Sequence, residues 1–168
     1  MSSIKKLVLI RHAHSLQAVN NAPDIQRELS ATGIADTAHA AQWIISKKLV
    51  PDLILSSPAV RTLQTIRLIC HHALFASENI QYDDRLYESS RRNYLKVIAE
   101  TDNCVNTLFV VGHNFAISDL LIEITGASYS SMTPCSVASL VLDISSWAEI
   151  EAAVDVHFDI FNPANNHC

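Results

Sequence analysis

Three short stretches of the sequence carry the residue types that handle phosphate. They contribute two arginines, two histidines, a serine and an asparagine: Arg11, His12 and Ser15 in LVLIRHAHS (residues 7–15), Arg61 in SSPAVR (residues 56–61), and His113 and Asn114 in GHN (residues 112–114). A guanidinium presents forked donors that suit phosphate oxygens, and an imidazole that titrates near neutrality has a lone pair that can attack phosphorus. We therefore expect phosphoryl chemistry, with His12 as the nucleophile and His113 as a donor to the transition-state oxygens.

Each stretch taken alone also has an ordinary explanation. An arginine and a histidine after a strand are often loop polarity, Arg61 would serve as a solvated or ion-paired helix residue, and Asn114 would serve as a helix cap. The functional interpretation depends on all three stretches falling at the same kind of position in the fold.

The surrounding sequence alternates between apolar runs and amphipathic segments. KLVLI, DLILS and TLFVV are typical of strands, and the first is followed, after the predicted cap Ser30, by Ile34, Ala38, Ala41 and Ile45 at helical spacing. Such alternation favours an α/β fold with a mostly parallel sheet covered on both faces. Because ligands of open α/β sheets bind beyond the carboxyl ends of the strands, the three stretches should converge on one rim.

The remaining elements complete this sheet. Ser57 and Pro58 are predicted to cap and begin the second helix, and Gly126 to end the third. A shorter helix is predicted after Ser89 or Ser90, and SVASLVLDI and AAVDVHFDIF are predicted as two late strands. These two strands would form an antiparallel hairpin and give the sheet a mixed edge.

Composition argues against several classes of function. The 168 residues, 49% of them hydrophobic, suit a single domain spanning residues 1–168. A net charge of -5 lacks the basic surplus that nucleic-acid binding needs, and no apolar stretch approaches the roughly 18 residues that span a bilayer. The four cysteines are scattered, which fits reduced thiols. We expect a cytoplasmic protein without nucleic-acid or membrane partners.

The three stretches, together with LSATGIADTAHAAQWI, strongly resemble the histidine phosphatase superfamily, in its phosphoglycerate-mutase-like group. The resemblance extends over roughly residues 5–121, and the short chain, RELSATG and RLYESS are most similar to the SixA-type phosphohistidine phosphatases. It implies a three-layer α/β/α sandwich, a phosphohistidine enzyme intermediate and no metal or other cofactor. It also implies a role for each matching residue: His12 as the nucleophile, Arg11, Arg61 and His113 as the phosphate pocket, and Ser15 and Asn114 as accessory phosphate-binding positions.

Two positions depart from the family pattern or match it loosely. Ala13 stands where the family usually has a glycine, so we expect no glycine-only backbone conformation there. Glu88 falls where many members have an acidic residue, which makes it the candidate general acid. A solvated glutamate at a helix start explains Glu88 equally well, and a protonated phosphoimidazole needs less help from an acid than a sugar phosphate does.

The expected substrate follows from a missing segment. Larger family members insert a lid where this chain has only HHALFASENIQYDD between Cys70 and Arg85, so the site should be open enough for a side chain of another folded protein. We therefore favour phosphohistidine on a signalling or phosphotransfer protein as the substrate, with a small phosphomonoester such as a sugar phosphate as the alternative. The enzyme itself is expected to be a monomer or weak dimer.

Two interpretations from other classes remain. A non-catalytic module that binds phosphoproteins would use the same arginines, but it would need no nucleophile. A metal site could draw on His12 and His14, which share strand-like spacing, and on His71 and His72. It lacks a cysteine or carboxylate set with ligand spacing.

Overall fold

The computed structural model describes residues 4–19, 21–128, 131–154 and 156–166. Within these residues the strands form one sheet in the order β3-β2-β4-β1-β5-β6: β1 (Ile4–Arg11), β2 (Leu53–Ser56), β3 (Ile80–Tyr82), β4 (Thr107–Gly112), β5 (Val137–Asp143) and β6 (His157–Phe161). The first four in this order are parallel to one another, whereas β5 runs antiparallel to β1 and β6 antiparallel to β5. The predicted parallel sheet with a mixed antiparallel edge is confirmed.

The helices cover both faces of this sheet, which makes a three-layer α/β/α sandwich. They are α1 (Ala31–Ser46), α2 (Val60–Ala73), α3 (Arg91–Ala99) and α4 (Ala116–Thr125). Strand β1 shows why two layers are needed, since alternate side chains of a strand point to opposite faces. Leu7 and Leu9 pack with residues of α3 and α4, Val8 and Ile10 pack with residues of α1 and α2, and all four are fully buried.

Several local predictions need correction. The face that α1 buries includes Gly33, Thr37 and Ile44, whereas Ile34 and Ile45, predicted as part of an apolar face, are about half exposed. Helix α2 begins at Val60 with Ala59 as its N-cap rather than at Ser57–Pro58. The three-residue strand β3 was not predicted, because a run that short carries little periodicity.

Other local predictions are confirmed. The Ser30 hydroxyl accepts a hydrogen bond from the backbone N–H of Gly33 and caps α1, and Ser90 is the N-cap of α3. Gly126 ends α4 with a left-handed backbone, φ 65°. No helix in the described part of the chain is both long and apolar enough to cross a membrane.

The strand register places three strand ends side by side. Arg11, the last residue of β1, pairs with Gly112, the last residue of β4, and Ser56, the last residue of β2, pairs with Val111. The residues that follow these ends therefore leave the sheet on the same rim, where α2 and α4 begin.

Candidate active site

A cavity of about 460 Å³ opens at this rim. Nine of the described residues line it: Arg11, His12, Arg27, Arg61, Tyr87, Glu88, Ser89, His113 and Asn114. Six of the seven predicted site residues are among them. The exception is Ser15, and three lining residues, Arg27, Tyr87 and Ser89, were not predicted as site residues.

The backbone of His12 is clamped between two neighbouring segments. Its N–H donates to Gly112 O at 3.0 Å, and its carbonyl accepts from the N–H of Cys135 at 3.1 Å. The ring is oriented by Nδ1, which lies 2.7 Å from Ala13 O and therefore carries the proton, because a carbonyl can only accept. Nε2 keeps its lone pair and has no hydrogen-bond partner among the described residues, so it is the atom available for attack.

The electrostatic surroundings keep His12 uncharged. Burial lowers its pKa from 6.5 to about 4. The hydrogen bond to the Ala13 carbonyl opposes burial as the second-largest effect, and the charges of Arg61 and Arg11 each lower the pKa by a smaller amount. A neutral imidazole is the nucleophilic form, so burial and the arginines hold His12 ready at neutral pH.

His113 lies beside His12, with the ring centroids 5.2 Å apart. Its Nε2 is 2.8 Å from the Ser57 hydroxyl, and its backbone N–H donates to the Tyr94 hydroxyl at 3.1 Å. Burial, followed by the charges of His12 and Arg61, lowers the pKa of His113 to about 3. His113 is therefore neutral while the cavity holds no anion, and the negative charge of a bound phosphate would favour its protonated form.

The end of β4 requires a glycine at position 112, because the side chain of Tyr94 lies close to the backbone there. A Cβ there would lie 2.0 Å from the hydroxyl oxygen of Tyr94, whose ring is fully buried. That hydroxyl accepts from the N–H of His113 and donates to Leu86 O at 3.0 Å. Tyr94 thus joins the strand end that carries His113 to the turn that precedes Tyr87.

The two predicted arginines are anchored through their terminal nitrogens. Arg11 Nη1 donates to Met132 O at 2.6 Å, whereas Arg61 donates through Nη1 to Asp24 O and through Nη2 to Asp24 Oδ2, at 2.8 Å each. The Nε atoms of both arginines and Nδ1 of His113 are buried without a hydrogen-bond partner among the described residues. Buried polar atoms are rarely left unpaired, so three such atoms on residues that line one cavity indicate an anion-binding site.

Arg27 adds positive charge to the cavity wall, but its nitrogens are all engaged. Nε donates to Leu16 O at 2.8 Å, Nη2 to the Ser15 hydroxyl at 2.9 Å, and Nη1 to Asp24 at 2.9 Å. The hydroxyl of Ser15 therefore supports Arg27 from behind the wall. Ser15 itself is buried and is not among the described lining residues, and its role as an accessory phosphate-binding position stays a prediction.

Asn114 and Glu88 both line the cavity, but they differ in how far their side chains are held by hydrogen bonds. The Asn114 amide donates to the Ser131 hydroxyl at 2.9 Å and accepts from the Ser118 hydroxyl, so it ties α4 to the neighbouring loop. The Glu88 side chain is exposed, on a left-handed backbone with φ 46°, and the described residues offer it no hydrogen bond or ion pair. Ala13 stays outside the left-handed region, as expected from its type.

The positions of His12 and His14 do not support a shared metal site. His12 lines the cavity, whereas His14 is exposed and has Nδ1 2.8 Å from the Ser30 hydroxyl. The two rings therefore do not serve one site. Among the described residues no three histidine, cysteine, aspartate or glutamate side chains are grouped closely enough to hold a metal ion.

A second cavity of about 460 Å³ lies elsewhere, near the amino ends of β2 and β4. Its carboxylates are engaged within the protein: Asp52 accepts from the N–H groups of Asn106 and Thr107 at 2.8 Å each, Asp102 accepts from the N–H of Cys104 at 2.8 Å, and Asp83 and Glu100 both pair with Arg85 at 2.7 Å. Its described lining residues include no histidine. We therefore assign it no chemistry.

Sequence reasoning missed Asp24, Arg27 and Tyr87 around the first cavity. None of them follows a strand, so the rule that located the other residues does not reach them. The available signal was the element RELSATG, which begins with Arg27, and the RLY of RLYESS, which ends at Tyr87. Neither element indicates by itself which cavity its side chains line.

Comparison with known proteins agrees with this geometry. The model of the histidine phosphatase superfamily, branch 1, matches residues 7–102. An uncharacterised chloroplast protein of Arabidopsis thaliana is 31% identical over 155 residues, which cover 86% of this chain and 70% of the relative.

Two solved structures share the fold. A protein of Nakamurella multipartitia, assigned as the phosphohistidine phosphatase SixA, superposes with a TM-score of 0.81 at 25% identity, over 96% of this chain and 98% of that one. A mycobacterial glucosyl-3-phosphoglycerate phosphatase superposes with a TM-score of 0.68 at 17% identity, over 95% of this chain and 99% of that one. The second likeness shows the fold alone, so the fold is shared by phosphatases that act on different substrates.

Proposed function

The chain belongs to branch 1 of the histidine phosphatase superfamily, and from that premise we propose that it is a phosphatase that hydrolyses phosphohistidine on another protein. His12 is the nucleophile, and a phosphohistidine forms transiently on it. Arg11, Arg61 and His113 bind the phosphoryl group, and the reaction needs no metal ion.

One observation carries this proposal: a neutral His12, whose Nε2 has no hydrogen-bond partner among the described residues, shares a cavity with Arg11, Arg61 and His113, which each have a buried nitrogen without a partner among those residues. A tetrahedral phosphoryl group bound in the cavity brings negatively charged acceptors to these three side chains. Its negative charge also raises the pKa of His113, which then donates to the group as an imidazolium. A module that only binds phosphoproteins has no use for a lone pair held ready on His12.

The first step transfers the phosphoryl group to the enzyme. The lone pair of His12 Nε2 forms a bond to phosphorus while the bond from phosphorus to the substrate nitrogen breaks, and the electron pair of that bond stays on the substrate. A substrate imidazole protonated on its other nitrogen leaves as a neutral molecule. The arginines and His113 stabilise the charge on the three equatorial oxygens as it passes through the transition state.

The second step regenerates the enzyme. A water oxygen forms a bond to phosphorus while the bond to His12 Nε2 breaks, which releases inorganic phosphate. The electron pair returns to Nε2, and the water proton leaves with phosphate or to solvent. Nδ1 stays bound to the Ala13 carbonyl through both steps, so the ring need not turn.

The surroundings of the cavity support a protein substrate. The segment between α2 and Tyr87 holds only short 3₁₀ turns and β3, so it forms no inserted lid over the site. Phe115 is 74% exposed next to Asn114, and Leu16, whose carbonyl binds the side chain of Arg27, is also exposed. Apolar side chains beside an open phosphate site suit the surface of another protein better than a small sugar phosphate.

A comparison of substrates tests this proposal. A phosphohistidine-bearing phosphotransfer domain, phosphoramidate and a set of sugar phosphates are assayed side by side for phosphate release. We expect kcat/KM to be at least tenfold higher for the phosphoprotein than for any sugar phosphate. The reverse order would establish the phosphomonoester alternative and leave the chemistry unchanged.

The His12→Ala variant tests the nucleophile. Turnover should disappear, together with the acid-labile ³²P label that wild-type protein retains after rapid quenching in base. His14→Ala, two residues away and exposed, is the matched control and should keep both. Turnover by His12→Ala would remove His12 as the nucleophile, and binding of phosphoprotein without turnover by wild-type protein would favour the non-catalytic module.

A further inference from the structure

Asp24 is the point where four donors meet. Its side chain accepts from Arg27 Nη1 at 2.9 Å, from Arg61 Nη2 at 2.8 Å and from the Tyr87 hydroxyl at 3.1 Å, and its backbone carbonyl accepts from Arg61 Nη1 at 2.8 Å. All three donor residues line the candidate active site, whereas Asp24 is not among the described lining residues. Asp24 therefore holds the cavity wall from outside.

The contact with Asp24 fixes the orientation of the Arg61 guanidinium. Nη1 and Nη2 of Arg61 each donate one hydrogen to Asp24 and keep a second, and Nε is buried without a hydrogen-bond partner among the described residues. Arg11 is anchored at one terminal nitrogen, with Nη1 bound to the Met132 carbonyl, and the described residues offer its Nε no partner either. Because a guanidinium is a rigid planar fork, an acceptor fixed at one edge sets the direction of the other.

Asp24 also reaches His113 through Tyr87. The Tyr87 ring lies edge-on to the His113 ring, with centroids 5.7 Å apart and an interplanar angle of 76°. The hydroxyl at the far end of the Tyr87 ring is the group that donates to Asp24. One carboxylate thus contacts both an arginine and the tyrosine that packs on the second histidine.

The carboxylate of Asp24 is not suited to be the general acid. Hydrogen bonds from Arg27, first, and from Arg61 lower its pKa to about 2. The group stays ionised at any pH at which the enzyme would be assayed, so it offers an acceptor and a charge and delivers no proton.

We propose that Asp24 is a positioning residue for phosphoryl transfer, which fixes the orientation of the Arg61 guanidinium in the cavity wall and holds Tyr87 against His113. This inference rests on the proposed phosphatase activity. Without Asp24, Arg61 still attracts a ground-state phosphate by its charge, but it no longer meets the equatorial oxygens in the geometry of the transition state. The loss should therefore fall on kcat rather than on KM.

The test uses Asp24→Ala in the full chain, with phosphoramidate as substrate and tungstate as the oxyanion titrated by calorimetry. We expect kcat to fall at least tenfold, while KM and the tungstate Kd change less than threefold. Asp159→Ala is the matched control, because it also removes a carboxylate paired with a cation, Lys47 at 2.9 Å, on an exposed part of the surface. It should keep wild-type kcat.

A double-mutant cycle shows whether Asp24 acts through Arg61. In the Arg61→Ala background, adding Asp24→Ala should lower kcat less than threefold further. An undiminished tenfold loss in that background would overturn the inference, because Asp24 would then act by another route. If Asp24→Ala fails to fold, Asp24→Asn enters the same cycle, since it keeps one acceptor oxygen for Arg27 while its NH₂ group cannot accept from Arg61.

The outcomes separate this inference from the proposed function. Wild-type protein that releases no phosphate from any phosphoramidate substrate would end both. Active wild-type protein with an Asp24→Ala variant whose kcat stays within threefold would end this inference alone. A fall in kcat that tracks a fall in melting temperature, and is also seen in Asp159→Ala, would reduce Asp24 to a structural tie.

Discussion

His12 and His113 are both uncharged at neutral pH, and the same burial accounts for both. The pKa values of about 4 and about 3 lie below the ordinary value of 6.5, so the folded protein resists protonation that the unfolded chain accepts. The burial that keeps His12 uncharged therefore also makes the folded protein less stable in acid. An oxyanion between the arginines reverses this for His113 by raising its pKa.

The stability of the protein should fall in mild acid for this reason. The contribution of the two neutral histidines is fully present above pH 6.5 and is lost as the pH falls toward about 4 and about 3, at up to about 1.4 kcal/mol per pH unit for each group. Melting temperatures from pH 7.5 to 4 would be compared for wild-type protein and for His12→Gln with His113→Gln. The double variant should lose less stability over that range, and parallel curves would contradict the assigned pKa values.

The residues of the cavity differ in how far the sequence predicts them. Arg11, His12, Arg61 and His113 could be identified because each follows a strand end or lies in the first turn of the next helix. Asp24 reaches the site through side-chain contacts to two other parts of the chain. No spacing rule encodes those contacts, nor the hydrogen bond from Arg27 to the Ser15 hydroxyl.

At the scale of single elements, α1 shows packing overriding composition. The apolar residues Ile34 and Ile45 suggest one buried face, yet both are about half exposed, and the helix instead buries the face that contains Gly33. A Cβ on Gly33 would lie 2.1 Å from the backbone oxygen of His14. This close approach, which no hydrophobic periodicity reveals, sets the rotation of α1 against the loop that follows His12.

Gly33→Ala should therefore destabilise the protein, although alanine is favoured over glycine in a helix by up to about 1 kcal/mol. The methyl group meets a backbone carbonyl that cannot swing aside, and we expect a loss of about 1–3 kcal/mol in the free energy of unfolding. Urea denaturation measures it. Thr32→Ala, exposed in the same turn, is the control and should change stability little, whereas a more stable Gly33→Ala would show that propensity alone governs this turn.

At the scale of the whole molecule, the order of the strands explains why the site could be predicted. Three parallel neighbours, β1, β4 and β2, end on one rim, and that follows from strand and helix alternation alone. The residues that surround the rim cannot be predicted from strand and helix alternation. The exposure of Phe115 depends on how α4 leaves the sheet, and only the folded chain shows an apolar ring beside the candidate active site.

That apolar surface leads to a prediction that separates protein substrates from small ones. Phe115 is exposed immediately before the first residue of α4, so Phe115→Ser removes the ring and adds no charge. Burying such a ring against a partner contributes about 1.5–3 kcal/mol, so kcat/KM for a phosphohistidine protein should fall by about tenfold or more. The kcat/KM for phosphoramidate should stay within twofold, because that substrate reaches only the arginines and histidines.

The control for Phe115→Ser is Leu74→Asn. Leu74 is 91% exposed at the far end of α2, and asparagine accepts its left-handed backbone, φ 58°. It lies 13 residues beyond Arg61, about 20 Å along the helix. Equal losses on both substrates in Phe115→Ser would show that the ring affects the chemistry, and no loss on either would remove it from substrate recognition. If a protein substrate docks across this rim, Phe115→Ser should lower kcat/KM for the phosphoprotein alone, and Leu74→Asn should lower it for neither substrate.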